Sequence, residues 1–65
     1  MRDPKRLDKF YEELKNIHKK EFPDWRFGQF IINFLSWYGQ DPFYLEEGKM
    51  LAKVKEFVNH LKGGN

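Results

Sequence analysis

Hydrophobic residues recur at intervals of three and four along most of the chain, which is the spacing of one face of an α-helix. The first apolar stripe comprises Leu7, Phe10, Tyr11, Leu14 and Ile17, with His18 at its edge. Asp3 and Pro4 suit the start of a helix, and Phe22-Pro23 opposes its continuation. These signals predict a helix over residues 4–21.

A second, wider stripe comprises Phe27, Phe30, Ile31, Phe34, Leu35 and Tyr38. Asp24 is a good N-cap before this stripe, and Gly39 can close a helix in the left-handed conformation. We therefore expect a helix over residues 25–38, with the stripe in the core. Within it, Gly28 permits close approach of another backbone.

The third stripe comprises Met50, Leu51, Val54, Phe57, Val58 and Leu61. Glu46 and Glu47 precede it, and negative charge is favourable at the N-terminus of a helix. This pattern predicts a helix over residues 45–62 and a frayed tail over residues 63–65. We expect Phe43 and Tyr44, in the connection before this helix, to pack back onto the second helix.

Three amphipathic helices with short connections are typical of a small helical bundle. The predicted fold is therefore all-α, a compact three-helix bundle that forms a single domain over residues 1–65. A chain of this length buries only about 60% of its unfolded surface. Because the sequence contains no cysteine, a dense aromatic core or self-association must supplement its stability.

The charge balance is mildly basic, with twelve Lys and Arg against ten Asp and Glu, a net charge of +2 and a pI of about 9.0. This pI only reaches the threshold of about 9 that is typical of nucleic-acid-binding domains. The apolar runs are far shorter than the ~20 residues of a membrane span. The N-terminal stretch also lacks the apolar region of a secretory signal, so we expect a cytoplasmic protein without membrane contact.

Residues suited to catalysis are few and poorly arranged. Ser36 is the only serine, and it lies within the apolar second helix without a glycine elbow. His18 lies beside the first apolar stripe, and His60 lies at a helix C-terminus, where the dipole favours it when protonated. The adjacent pairs Glu12-Glu13 and Glu46-Glu47 point in different directions on a helix. The sequence predicts no enzymatic activity, no cofactor and no metal site.

Aromatic residues are concentrated between Pro23 and Tyr44, where they make up eight of 22 positions. The second apolar stripe leaves Trp25, Ile32 and Trp37 unassigned. Either the small core wraps the second helix completely and buries them, or they form a second side that binds a protein. On the second interpretation, Arg26 and Gln29 supply directional polar contacts. The partner is then a second copy, which gives a homodimer, or a host protein.

DNA or nucleotide binding is the alternative hypothesis. It uses the lysines late in the first helix, Lys15, Lys19 and Lys20, together with Arg26. Acidic residues interrupt this group, and such mixtures are typical of a solvated surface. A helix-turn-helix also requires a polar recognition helix, whereas the middle helix is the most apolar of the three. Protein binding is therefore the favoured prediction.

Two stretches, Pro23–Leu35 and Asp41–Glu47, resemble a group of small, uncharacterised phage and prophage-type bacterial proteins. The shared pattern is P-D-x-R-x-G-Q-x-I-x-N followed by D-P-F-Y-x-E, and the resemblance covers most of the chain. It implies a bacterial or phage origin and an accessory role, and it carries no activity. A phage-encoded antagonist of a host defence protein, acting in the bacterial cytoplasm, is one specific version of the protein-binding hypothesis.

Overall fold

A computed structural model describes residues 2–63 and contains three helices, α1 (Arg6–Glu21), α2 (Phe27–Tyr38) and α3 (Glu47–Leu61). Helix α3 packs against both α1 and α2. The part of the chain that the structure describes contains no strand. The predicted all-α three-helix bundle is confirmed. No described helix combines the length and the apolar character that crossing a membrane requires.

The core lies between α2 and α3. Phe30 and Phe34 of α2 meet Val54 and Phe57 of α3, and all four side chains are buried. The rings of Phe34 and Phe57 lie 5.7 Å apart in an edge-to-face arrangement, which is a favoured geometry for aromatic pairs. Leu14 and Ile17 of α1 pack against this cluster. The core is thus rich in aromatic rings.

Helix α1 begins two residues later than predicted, because Pro4 and Lys5 form a turn. The Oδ1 atom of Asp3 accepts the Lys5 N–H at 2.9 Å. Asp3, which was predicted to cap the helix, therefore stabilises this turn instead. At the other end Phe22 leaves the helical conformation, with φ −136° and ψ 52°. The predicted end of the helix at Phe22-Pro23 is confirmed.

Helix α2 begins at Phe27, and Arg26 is its N-cap residue, so the prediction of Asp24 in that role is wrong. The Oε1 atom of Gln29 accepts the Arg26 N–H at 2.7 Å, which satisfies a backbone donor at the helix start. Gly39 closes the helix with φ +73°, and its N–H donates to the carbonyl of Leu35 at 3.0 Å. This C-terminal signal is confirmed.

Helix α3 begins at Glu47 because the preceding residues form a hydrogen-bonded turn. Asp41 Oδ1 accepts the Phe43 N–H at 3.0 Å, and the Leu45 N–H donates to the carbonyl of Pro42 at 3.0 Å. Phe43 and Tyr44 occupy the central positions of this turn and point outward, 77% and 88% exposed. The prediction that they pack onto α2 is therefore wrong.

Of the tail predicted over residues 63–65, only Gly63 lies within the described residues. It has φ +80°, and its N–H donates to the carbonyl of His60 at 3.1 Å. Gly63 therefore continues the backbone hydrogen bonding at the end of α3. Residues 64 and 65 lie outside the described part.

Ion pairs connect α1 and its preceding turn to α3. They are Arg2 with Glu46, Arg6 with Glu47, Glu13 with Lys55 and Glu21 with Lys62. Ion pairs at or near the surface contribute little to stability, because solvent screens them. They therefore link the two ends of α1 to α3 and add little to the stability of the core.

Candidate protein-binding surface

The two tryptophans of the predicted site pack at the edge of the core. Trp25 stacks on Phe22, with ring centroids 4.4 Å apart and an interplanar angle of 9°. Trp37 lies 5.6 Å from the ring of Phe57. Both tryptophans are half-buried against the core cluster. The chain itself therefore covers much of both rings, as the first interpretation expects. The tryptophans do not form a second side of α2 that is turned away from the core.

Part of each tryptophan still reaches solvent. The two rings line an open groove of about 330 Å³ with Asn33, Phe57, His60 and Leu61. The ring of His60 lies 6.0 Å from that of Trp37. This groove lies on the surface of the protein, where α2 packs against α3.

Ile32 lies on the opposite side of α2. Phe30 precedes it by two residues and Phe34 follows it by two, so the helical period places Ile32 about 180° from the direction of these core rings. Its side chain is 61% exposed. The structure therefore separates Ile32 from Trp25 and Trp37, and the prediction that the three share one side of the helix is wrong.

Arg26 and Gln29 lie at the start of α2. The side-chain oxygen of Gln29 is occupied by the backbone N–H of Arg26, so this glutamine has a structural role in the helix start. Arg26 is exposed. Within residues 2–63 its guanidinium forms no ion pair.

The exposed residues of α2 carry no charge. They are Phe27, Gly28, Gln29, Ile32, Asn33 and Ser36. The chain contains 22 charged side chains, twelve basic and ten acidic, and none lies in α2. A solvated helix face usually carries charged residues, whereas the centre of a protein interface is depleted of them. This is the signal that sequence reasoning missed, although the uncharged run from Phe27 to Gln40 is visible in the sequence.

Three exposed residues of this helix follow one another at intervals of four, and we call them the outer face of α2. They are Gly28, Ile32 and Ser36. A side-chain carbon added at Gly28 would meet no atom within 4 Å. The outer face is therefore a ridge with one large aliphatic side chain between two small residues, open on the solvent side.

A second apolar surface lies between α1 and α2. Tyr11, Leu14 and His18 line an open groove of about 240 Å³ with residues from the first half of α2. Phe27 is 58% exposed, so its predicted place in the core is wrong. As the first residue of α2, it lies at the open edge of this groove, where α1 covers only part of the ring.

The lysines of the alternative hypothesis, Lys15, Lys19 and Lys20, are all exposed on α1. The Nζ atom of Lys15 lies 3.0 Å from Glu12 Oε2, which partly neutralises it. Lys19 shares the face of Lys15 because it follows four residues later, and Lys20 lies about 100° further round. Among the described residues, neither Lys19 nor Lys20 forms an ion pair.

Among residues 2–63, no group of three or more histidine and carboxylate side chains could hold a metal ion. Comparisons of the chain with protein-family models, with curated proteins and with solved structures gave no match. The resemblance to phage and prophage-type proteins stays a prediction.

Proposed function

We propose that this protein is a non-enzymatic protein-binding module whose contact surface is the outer face of α2. The observation that supports this most directly is Ile32, an aliphatic side chain 61% exposed on an uncharged helix, opposite the core. Burying such a side chain against a partner is favourable by about 25 cal/mol per Å² of apolar surface. No charged group of α2 has to lose its hydration in the process.

The resemblance to phage and prophage-type proteins supports a specific version of this function. In that version the protein acts in the bacterial cytoplasm, and its accessory role is the binding of a protein there. An antagonist of a host defence protein is one such role, and only the resemblance and the small size of the chain support it.

A photo-crosslinking amino acid at position 32 tests the proposal in bacterial cells that express the chain. The replacement leaves the core intact because Ile32 is exposed on the side opposite to it. The matched control carries the same group at position 59, since Asn59 is exposed on α3. We expect a discrete protein adduct from position 32 and none from position 59. No adduct from position 32, or equal adducts from both, would overturn the proposal.

Nucleic-acid binding remains the second candidate, because Lys19 and Lys20 are exposed cations without an ion-pair partner among residues 2–63. Binding through phosphates weakens steeply as salt rises, whereas apolar association does not depend on charge in this way. A salt-sensitive affinity for DNA that the paired changes Lys19→Glu and Lys20→Glu abolish would favour this candidate. The absence of any affinity for DNA would exclude this candidate, and DNA binding unaffected by the two changes would exclude these lysines as its site.

A further inference from the structure

We infer that the outer face of α2 binds a second copy of this chain, so that two α2 helices cross antiparallel about a two-fold axis at Ile32. This inference rests on the proposed function and names its partner. A closed dimer with the same patch on both subunits is the commonest form of homo-oligomer. Two features of the described residues support it, the symmetry of the ridge and the charge, and the available area limits its strength.

The ridge is arranged symmetrically about Ile32. This residue lies near the middle of the 12-residue helix, with Gly28 four positions before it and Ser36 four positions after. A two-fold axis at this point places Ile32 against the partner's Ile32 and Gly28 against the partner's Ser36. Small residues on both sides of the isoleucine let the backbones approach.

Charge favours a second copy over a charged partner. Each copy carries a net charge of +2, so two copies that met through the lysines of α1 would repel each other. The twelve residues of α2 contain no charged side chain, so two outer faces meet without a like-charge contact. A strongly charged partner would find no ion-pair partner on this face. The outer face of α2 in a second molecule is uncharged as well, so neither face leaves a charge unpaired in the contact.

Area limits the strength of the dimer. A stable interface of standard size buries about 800 Å² per partner, which would be about 15% of the 5253 Å² surface of the described chain. Helix α2 is only about 18 Å long, so a crossing centred on Ile32 covers less than this standard area. The geometry therefore predicts a weak dimer that dissociates on dilution.

Sedimentation equilibrium of the purified full chain, from micromolar to millimolar concentration, tests the inference. We expect a monomer–dimer equilibrium that changes little with salt. Ile32→Lys should raise the dissociation constant by at least about tenfold, and Ile32→Ala should raise it less. The control Asn59→Lys adds the same charge on α3 and should leave the dissociation constant unchanged. Circular dichroism checks that each variant is folded.

If the chain stays monomeric at every concentration, the inference that a second copy is the partner is wrong. It is also wrong if Ile32→Lys and Asn59→Lys raise the dissociation constant of the dimer equally. The crosslinking experiment separates this failure from that of the proposed function. If the chain is monomeric but position 32 still forms an adduct with another protein in cells, the inference is wrong and the proposed function stands. If position 32 forms no adduct as well, both are wrong.

Discussion

His18 of α1 and Trp25, in the connection to α2, are joined by a hydrogen bond in which Nε2 lies 2.7 Å from the carbonyl oxygen of Trp25. A carbonyl oxygen only accepts, so Nε2 must carry the hydrogen. The ring of His18 also lies 4.9 Å from that of Phe30. This histidine therefore holds the connection between α1 and α2 against the core.

The variant His18→Ala should lower the free energy of unfolding by about 1–3 kcal/mol, because the partly buried carbonyl of Trp25 loses its donor. Urea denaturation of the purified chain measures the change. His60→Ala is the matched control, since His60 is exposed near the end of α3, and it should change the free energy by less than about 0.5 kcal/mol. Equal losses from both variants would contradict the role given to His18.

Phe34 and Phe43 are the same residue type in opposite environments, 0% and 77% exposed. Phe34→Ala should cost about 3–5 kcal/mol, which is comparable with the whole stability of a small domain. Phe43→Ala should change the free energy of unfolding by less than about 0.5 kcal/mol. Chemical denaturation of both variants checks the pair, and a large loss from Phe43→Ala would show that the turn contributes to the core.

Arg6 Nε donates to Glu47 Oε1 at 2.9 Å, and this hydrogen bond lowers the pKa of Glu47 below its ordinary value. The folded state therefore binds the proton less tightly than the unfolded state does. The pair adds stability above the ordinary pKa of glutamate, and that stability is lost as pH falls through the lowered pKa. The effect on stability is small because both side chains are partly exposed.

Arg6→Gln should therefore move the pKa of Glu47 back toward its ordinary value, as measured by NMR titration of its side-chain carboxyl. Lys53→Gln is the control, because Lys53 pairs with Glu56 and should leave the pKa of Glu47 where it is. A pKa of Glu47 that does not respond to Arg6→Gln would show that the ion pair is not maintained in solution.

Gly28 and Gly48 form a matched pair, since each is the second residue of its helix and an added Cβ would meet no atom within 4 Å. Alanine at either position should raise monomer stability by about 0.5–1 kcal/mol, because glycine is unfavourable in a helix. Only Gly28→Ala adds a methyl group to the outer face of α2, so only this variant should weaken the dimer. Thermal unfolding at low concentration and sedimentation measure the two effects. Equal weakening of the dimer by both variants would argue against this interface.

The helices were predictable from sequence because their signals are local. The spacing of apolar residues placed all three, and the ends at Phe22-Pro23 and Gly39 depend on backbone preferences of single residues. The starts were less accurate. Asp3 accepts a backbone N–H within a turn before α1, and helical spacing does not distinguish such a turn from a first helical turn.

The candidate surface was only partly predictable. Trp25 precedes α2, so the helical period says nothing about its direction, and contacts with Phe22 and Phe57 decide its position. Trp37 follows Phe30 by seven residues, which is two helical turns, so this spacing already indicated the core side. The sequence placed Ile32 outside the apolar stripe of α2 but did not say whether it is buried. The structure shows that it is exposed. The exposure of Phe27 depends on how far α1 reaches, which no local pattern encodes.

An NMR dilution series on uniformly ¹⁵N-labelled protein tests most directly whether the outer face of α2 is the contact surface, because it reports on each backbone amide. The amide shifts of Gly28, Ile32 and Ser36 should change with protein concentration and follow one dissociation curve. Those of Ala52 and Asn59, exposed on α3, should stay constant. Shifts that are independent of concentration across α2, or changes centred on Phe43 and Tyr44, would contradict the account.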